Sequence, residues 1–193
     1  MHDSDANDPV GEINSNFLQA MTMIYESVTK IAWVGLLLGL LLFIMGSAVA
    51  EDRIDDAAAL NGVKETRSVF LVDFTNPRKT AFYLDIIRGT HEGLVKQGVT
   101  PNMVLVFIGE TVRYLSTEPD DLLALEYADE LASIADTAKQ LKAKGVRMEV
   151  CAIANRVFEV DNATVLPEMQ VVGDGFISLI GWQTQGHKLV PIF

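Results

Sequence analysis

The only cysteine of this 193-residue chain, Cys151, is the side chain best suited to nucleophilic chemistry. Sulfur attacks as the thiolate, so its surroundings decide whether it reacts. In Val150-Cys151-Ala152-Ile153-Ala154-Asn155-Arg156 it comes late in an apolar, strand-like run and just before a helix start near Ala154. Backbone N–H groups at a helix N-terminus favour an anion, and Arg156, five residues on, adds positive charge. The competing role is structural, because free cysteine is among the most often buried residue types. A lone cysteine forms no intramolecular disulfide, and it leaves no material for a two-cysteine redox motif or a cysteine zinc cluster within one chain.

Other groups that could line a site are Asp73, at the end of the first apolar strand, and the pair Glu110 and Arg113 after the second. His91 falls on the apolar stripe of its helix and reads as a core histidine. His187 follows Gly186 in a turn and reads as solvated. The sequence holds no serine nucleophile elbow, no G-x-G-x-x-G, no phosphate-binding Walker loop and no histidine metal motif. No metal or organic cofactor is therefore expected. The formal net charge of −11, with no basic stripe, argues against nucleic acid as a partner, since that contact needs lysine and arginine to displace counterions.

These groups must be positioned by alternating strands and helices. Ser68–Phe74, Met103–Ile108, Arg147–Ile153, Met169–Val172 and Lys188–Phe193 read as strands. Asn76-Pro77 starts a helix, with Asn as the cap and Pro at the first position. Leu84, Ile87, His91 and Leu94 then follow at helical spacing up to Gly98. Asp120 and Asp121 open one helix running to Gly145, with Tyr127, Leu131, Ile134, Ala138 and Leu141 as its apolar stripe. A short helix near Ala154 and another over Gly175–Gln185, with Phe176, Leu179 and Ile180 inward, complete the set. This alternation predicts an α/β domain with a mainly parallel five-stranded sheet. Ligands of such sheets bind beyond the carboxyl ends of the strands. That edge holds the loops 73–76, 109–114, 151–156 and 173–175.

Residues 1–30 form an acidic N-terminal tail in which Lys30 is the only base. Ile31–Ala50 is twenty residues without a charge, about the length that crosses a bilayer as a helix. Ala48-Val49-Ala50 fits the small-x-small pattern of signal peptidase, whereas the long acidic stretch before it does not suit a signal peptide. The segment is read as a signal peptide or a transmembrane helix, and residues 51–66 as a linker or short helix. Export, or anchoring with the domain outside, follows from the cleavage pattern. Loop charge (Arg53, Lys64 and Arg67 after the segment) points instead to an anchor with a cytoplasmic domain.

Lys144-Gly145-Val146-Arg147 running into Val150–Arg156, and then Leu166-Pro167-Glu168-Met169, a valine strand, Gly173–Gly175, a helix and Gly186, resemble the DsrE/DsrF-like family of sulfur-relay and sulfur-reduction proteins. The resemblance spans roughly Arg67–Phe193. It implies a three-layer, flavodoxin-like domain, preceded here by the hydrophobic N-terminal helix, and a homotrimer or homohexamer. It also implies a cysteine that accepts sulfur as a persulfide and passes it on, a role that falls on Cys151. Arg156, Asn155 and Asp73 are its candidate supporting residues. Sulfur donors and acceptors, proteins or small sulfur compounds, are the implied partners. Some members of the family are structural subunits, so a non-catalytic oligomeric module tethered at a membrane, with Cys151 in the core, is the alternative.

Overall fold

The computed structural model describes residues 54–192 together with Gln19, Met21, Met23 and Tyr25. The chain divides into two units, Met1–Asp55 and Asp56–Phe193. In the first, Gln19, Met21, Met23 and Tyr25 are helical, Ile54 and Asp55 are not, and all six are exposed. The apolar stretch Ile31–Ala50 and the rest of the acidic tail lie outside the described residues. Among the described residues, no helix is long and apolar enough to cross a membrane.

The second unit follows the alternation read from the sequence. Its elements are β1 (Glu65–Val72), α1 (Pro77–Lys96), β2 (Thr100–Phe107), a 3-10 turn (Gly109–Leu115), α2 (Asp121–Glu126), α3 (Ala128–Ala143), β3 (Arg147–Cys151), α4 (Ala152–Val157), a second 3-10 turn (Asn162–Thr164), β4 (Gln170–Val172), α5 (Gly175–Thr184) and β5 (Lys188–Val190). The strands form one sheet in the order β4-β3-β2-β1-β5, and every pairing between these five strands is parallel. β1 and β2 pair over eight residues, from Glu65↔Thr100 to Val72↔Phe107. β2 is the middle strand, and Met103 to Ile108 is buried without interruption. An unbroken apolar run is what a parallel strand covered on both faces requires.

Strand order dictates the layers. From β1 to β4 each connection steps one strand in the same direction, so right-handed crossovers put their helices on one face. The step from β4 to β5 runs back across the whole sheet, which sends α5 to the opposite face. There α5 packs on β1, β2 and β3, while α1 and α3 pack on each other. α5 runs back against the strand direction: Gly175 lies at the ends of β2 and β3, and His187, just past the helix, reaches Asn102 near the start of β2.

Local chemistry explains most boundaries. Asn76 caps α1 by accepting from the N–H groups of Arg78 and Lys79, at 2.8 and 3.3 Å, with Pro77 at the first position. The predicted single helix from Asp120 to Gly145 is broken in two at Tyr127, whose φ and ψ of −128° and 29° leave the helical region. α2 has no fully buried residue and, of its apolar side chains, sets only the half-buried Leu123 against the core, so little packing holds it in line with α3. The Tyr127 ring instead lies 5.1 Å from the Arg78 guanidinium, which also bonds Glu130 at 2.9 Å.

Two expectations for side-chain direction are corrected. Phe176 and Ile180 point outward, 59% and 63% exposed, while Gly175 and Leu179 are buried. Gly175 is pressed against the strand ends, which sets the rotation of α5. Each next residue then lies about 100° round the helix, off the buried line. His187 is buried rather than solvated. Its ring packs edge-on against Trp182 at 4.9 Å, and its Nε2 lies 3.3 Å from the Asn102 side-chain oxygen. Pairing of β5 with β1 pulls this turn under the sheet. His91 is buried, as its place on the stripe predicts.

A buried carboxylate joins β3 to α5. Glu149 accepts from Arg147 Nε, from Trp182 Nε1 at 3.1 Å and from Ser178 Oγ. Burial disfavours its charged form, but the donors from Ser178, Arg147 and Trp182 outweigh that and hold its pKa below the ordinary 4.5. A depressed folded-state pKa contributes stability that is present above the unfolded value and lost as pH falls through the folded one. Glu149→Gln is expected to lower unfolding free energy by about 1–3 kcal/mol at neutral pH and to flatten the loss of stability below about pH 4.5, measured by urea denaturation across pH.

His91 gives a separate window. Burial first, and then the positive charge of Lys144, hold its pKa below 6.5, with Glu92 opposing. The unfolded chain takes the proton first, so stability is full above pH 6.5 and falls as pH drops from there through the folded value. His91→Gln is expected to remove the part of this slope that sets in as pH drops below 6.5, read from urea midpoints at several pH values.

Candidate functional site

Strand topology places one crevice at the carboxyl edge. The chain leaves β3 toward the face carrying α1 and α3, and leaves the neighbouring β4 toward the face carrying α5. Adjacent strands whose following segments diverge to opposite faces form the switch point where open α/β sheets bind ligands. Cys151 is the last residue of β3 and pairs with Val172, the last residue of β4. The cysteine therefore stands at the switch point itself.

A cavity of about 370 Å³ opens here. Its walls include Cys151, Ile108 and Phe158, with Phe176 from α5 and the carboxylates Asp73 and Asp174. Cys151 is 5% exposed. Its Sγ accepts a hydrogen bond from the N–H of Gly175, the first residue of α5, at 3.2 Å. This differs in detail from the expectation that the following helix would serve the sulfur. α4 begins at Ala152, two residues earlier than read, and has only six residues. Cys151 occupies its cap position with no side-chain cap bond. The donor comes from the other side of the crevice, contributed by the helix after β4.

Two glycines make the approach possible. A Cβ on Gly175 would lie 2.6 Å from Ile108 Cγ2 and 3.1 Å from Cys151 Cβ, so the helix start could not sit there with a larger residue unless its neighbours moved. Gly109 has φ of +57°, and a Cβ on it would fall 2.1 Å from Asp73 Oδ1. The Asp73 carboxylate thus folds over bare backbone at the end of β2. The loop carrying it is fixed by Thr111, whose buried hydroxyl accepts from the Phe74 N–H and donates to the Phe74 carbonyl at 2.9 Å. Asp174 is held by its own task of capping α5, with Oδ1 2.8 Å from the Phe176 nitrogen.

The other predicted residues are placed differently. Arg156 is exposed and does not line the cavity. Asn155, within α4, is fully buried; its Nδ2 donates to Asn162 Oδ1 at 2.8 Å and its backbone carbonyl accepts from the Val160 N–H at 2.8 Å. Its place is in holding the loop after α4. Arg113 pairs with Glu110 and with Asp120, each at 2.9 Å, beside a larger cavity of about 510 Å³. That cavity holds no thiol and its one cation is already paired, so it offers less chemistry than the smaller one. Val157 and Phe158 line both cavities. Gly175, Asp174 and Thr111 are the contributors that sequence reasoning missed. The only signal for the first two was the Gly173–Gly175 turn at a strand end. No group of three or more histidine, cysteine or acidic side chains able to hold a metal occurs among the described residues.

Comparison with known proteins bears on the same region. A protein of unknown function from Methanobacterium thermoautotrophicum shares the fold with a TM-score of 0.51 at 20% identity, over 66% of this chain and 99% of that one. The YchN protein of E. coli aligns with a TM-score of 0.48 at 12% identity, over 66% of this chain and 99% of that one. No curated protein matches. The sequence model of the DsrE/DsrF-like family matches residues 67–192, which include every strand residue from Arg67 onward and both sides of the crevice. On that match the chain belongs to the DsrE/DsrF-like family.

Proposed function

We propose that this protein carries sulfane sulfur as a persulfide on Cys151. The observation that carries the reading is the position of Cys151 at the β3/β4 switch point, facing a cavity with a backbone N–H on its sulfur. Membership of a family associated with sulfur relay supports the same chemistry. In the loading step the Cys151 thiolate attacks the outer sulfur of a donor R–S–SH. The new S–S bond forms as the donor S–S bond breaks, and R–S⁻ leaves with the electron pair. The product is Cys151–S–SH. Attack by an acceptor thiolate on the outer sulfur reverses the bookkeeping and returns the Cys151 thiolate. No external oxidant or reductant enters either step. The Gly175 N–H is placed to stabilise negative charge on Sγ as it becomes the leaving group in the second step.

Donor and acceptor thiols, on proteins or small sulfur compounds, are the partners this chemistry requires. A homotrimer or homohexamer is the assembly that goes with it. Phe176, Ile177 and Ile180 project from α5 as neighbouring exposed apolar side chains, which suits burial between protein surfaces. The stretch Ile31–Ala50 would export the domain or anchor it at a membrane.

A second reading has one observation in its favour. Cys151 is nearly fully buried, as a cysteine that only fills space would be in a non-catalytic subunit. Intact-mass analysis after incubation with a persulfide donor separates the two. The first reading predicts that wild type gains the mass of one sulfur atom, reversible by an acceptor thiol, and that Cys151→Ser gains none. No gain on wild type, or the same gain on the variant, would refute it.

A further inference from the structure

The walls of the Cys151 cavity carry charge of one sign. Asp73 and Asp174 line it, and no lysine, arginine or histidine does. Asp174 is fixed by accepting from two N–H groups of α5, and Asp73, an exposed carboxylate, lies over Gly109 on a loop clamped by Thr111. Arg156 is outside the lining. Lys79 is outside it as well, with its ammonium 5.0 Å from the Phe74 ring centre. The remaining wall is apolar, including Ile108, Phe158 and Phe176. An inorganic sulfur anion entering this space meets two like charges and no counter-charge. A donor whose non-reacting end is neutral or cationic meets apolar contact and two acceptors.

Resting on the sulfur-carrier reading, we infer that Asp73 and Asp174 make the Cys151 cavity select organic persulfide donors with a neutral or cationic group over anionic sulfur compounds such as thiosulfate and polysulfide. Loading remains the balanced exchange given above, with the thiolate of the organic donor as leaving group. In a cavity of this size charges sit about 5–9 Å apart, where one unit of charge alters an encounter by roughly three- to tenfold.

Three persulfides differing only at the far end provide the test: those of cysteamine, mercaptoethanol and thioglycolate. The rate of sulfur addition to Cys151, followed by intact mass, is expected to fall in that order, with roughly tenfold or more between the first and last at low salt. The spread should narrow in 0.5 M salt. It should also narrow in Asp73→Asn and in Asp174→Asn, where asparagine retains the helix cap. Equal rates across the series, or a spread untouched by both substitutions, would overturn the inference. Alkylation by iodoacetamide and iodoacetate, normalised to the unfolded protein, reads charge selection without any sulfur transfer. Failure of all three persulfides to load, alongside a preference for iodoacetamide that shrinks in Asp73→Asn, would sink the carrier reading and leave charge selection standing. Absence of that preference, or alkylation by neither reagent, would overturn charge selection itself.

Discussion

The contact between the start of α5 and the ends of β2 and β3 is the constraint around which the site is arranged. Gly175 has no room for a side chain because Ile108 and Cys151 occupy the space that a Cβ would need. α5 starts at the ends of β2 and β3 and runs back over the same face, packing on β1, β2 and β3. A glycine at its first position lets the helix start come that close to the strands. Its first N–H is consequently delivered to the Cys151 sulfur, and its outer side chains are turned to solvent.

Further along the same helix, a polar network secures what the glycine contact begins. Glu149 sits on β3 two residues before Cys151, and it is reached by Ser178 and Trp182 of α5 and by Arg147 of its own strand. A buried carboxylate left without those donors would be costly, so strand and helix are tied in one register. Alternation along β3 puts residues 149 and 151 on the same face. The network that fixes α5 and the thiol that α5 serves are therefore neighbours on one strand.

Electrostatics around the thiol is divided. A backbone dipole points at the sulfur from one side, while the carboxylates of Asp73 and Asp174 border the cavity. The dipole acts on the sulfur at hydrogen-bond distance, whereas the carboxylates act on whatever occupies the cavity. On the proposed reading, one arrangement serves the thiol and discriminates among its donors. Arg156, which sequence spacing offered as the positive partner, is turned away from this space.

Much of this protein was legible in its sequence because the signals were local. The unbroken apolar run through Met103–Ile108 specified a strand buried on both faces, and Asn76-Pro77 specified a helix start with its cap. The place of Cys151 at a strand end before a helix was legible for the same reason. Contacts between residues far apart in the chain were not. Nothing near residue 175 announces that its N–H meets a sulfur 24 positions earlier, and nothing near Asp73 announces that Gly109 lies beneath its carboxylate. The break at Tyr127 was hidden because helical periodicity continues through it, while only tertiary packing decides whether α2 has a core to face. Phe176, Ile180 and His187 were misjudged because the rotation of α5 and the depth of the turn after it are set by the sheet. Sequence by itself determined the strands, their order and the lone thiol. Tertiary structure decided which backbone N–H and which carboxylates surround that thiol, because strand order and helix packing bring together residues far apart in the chain.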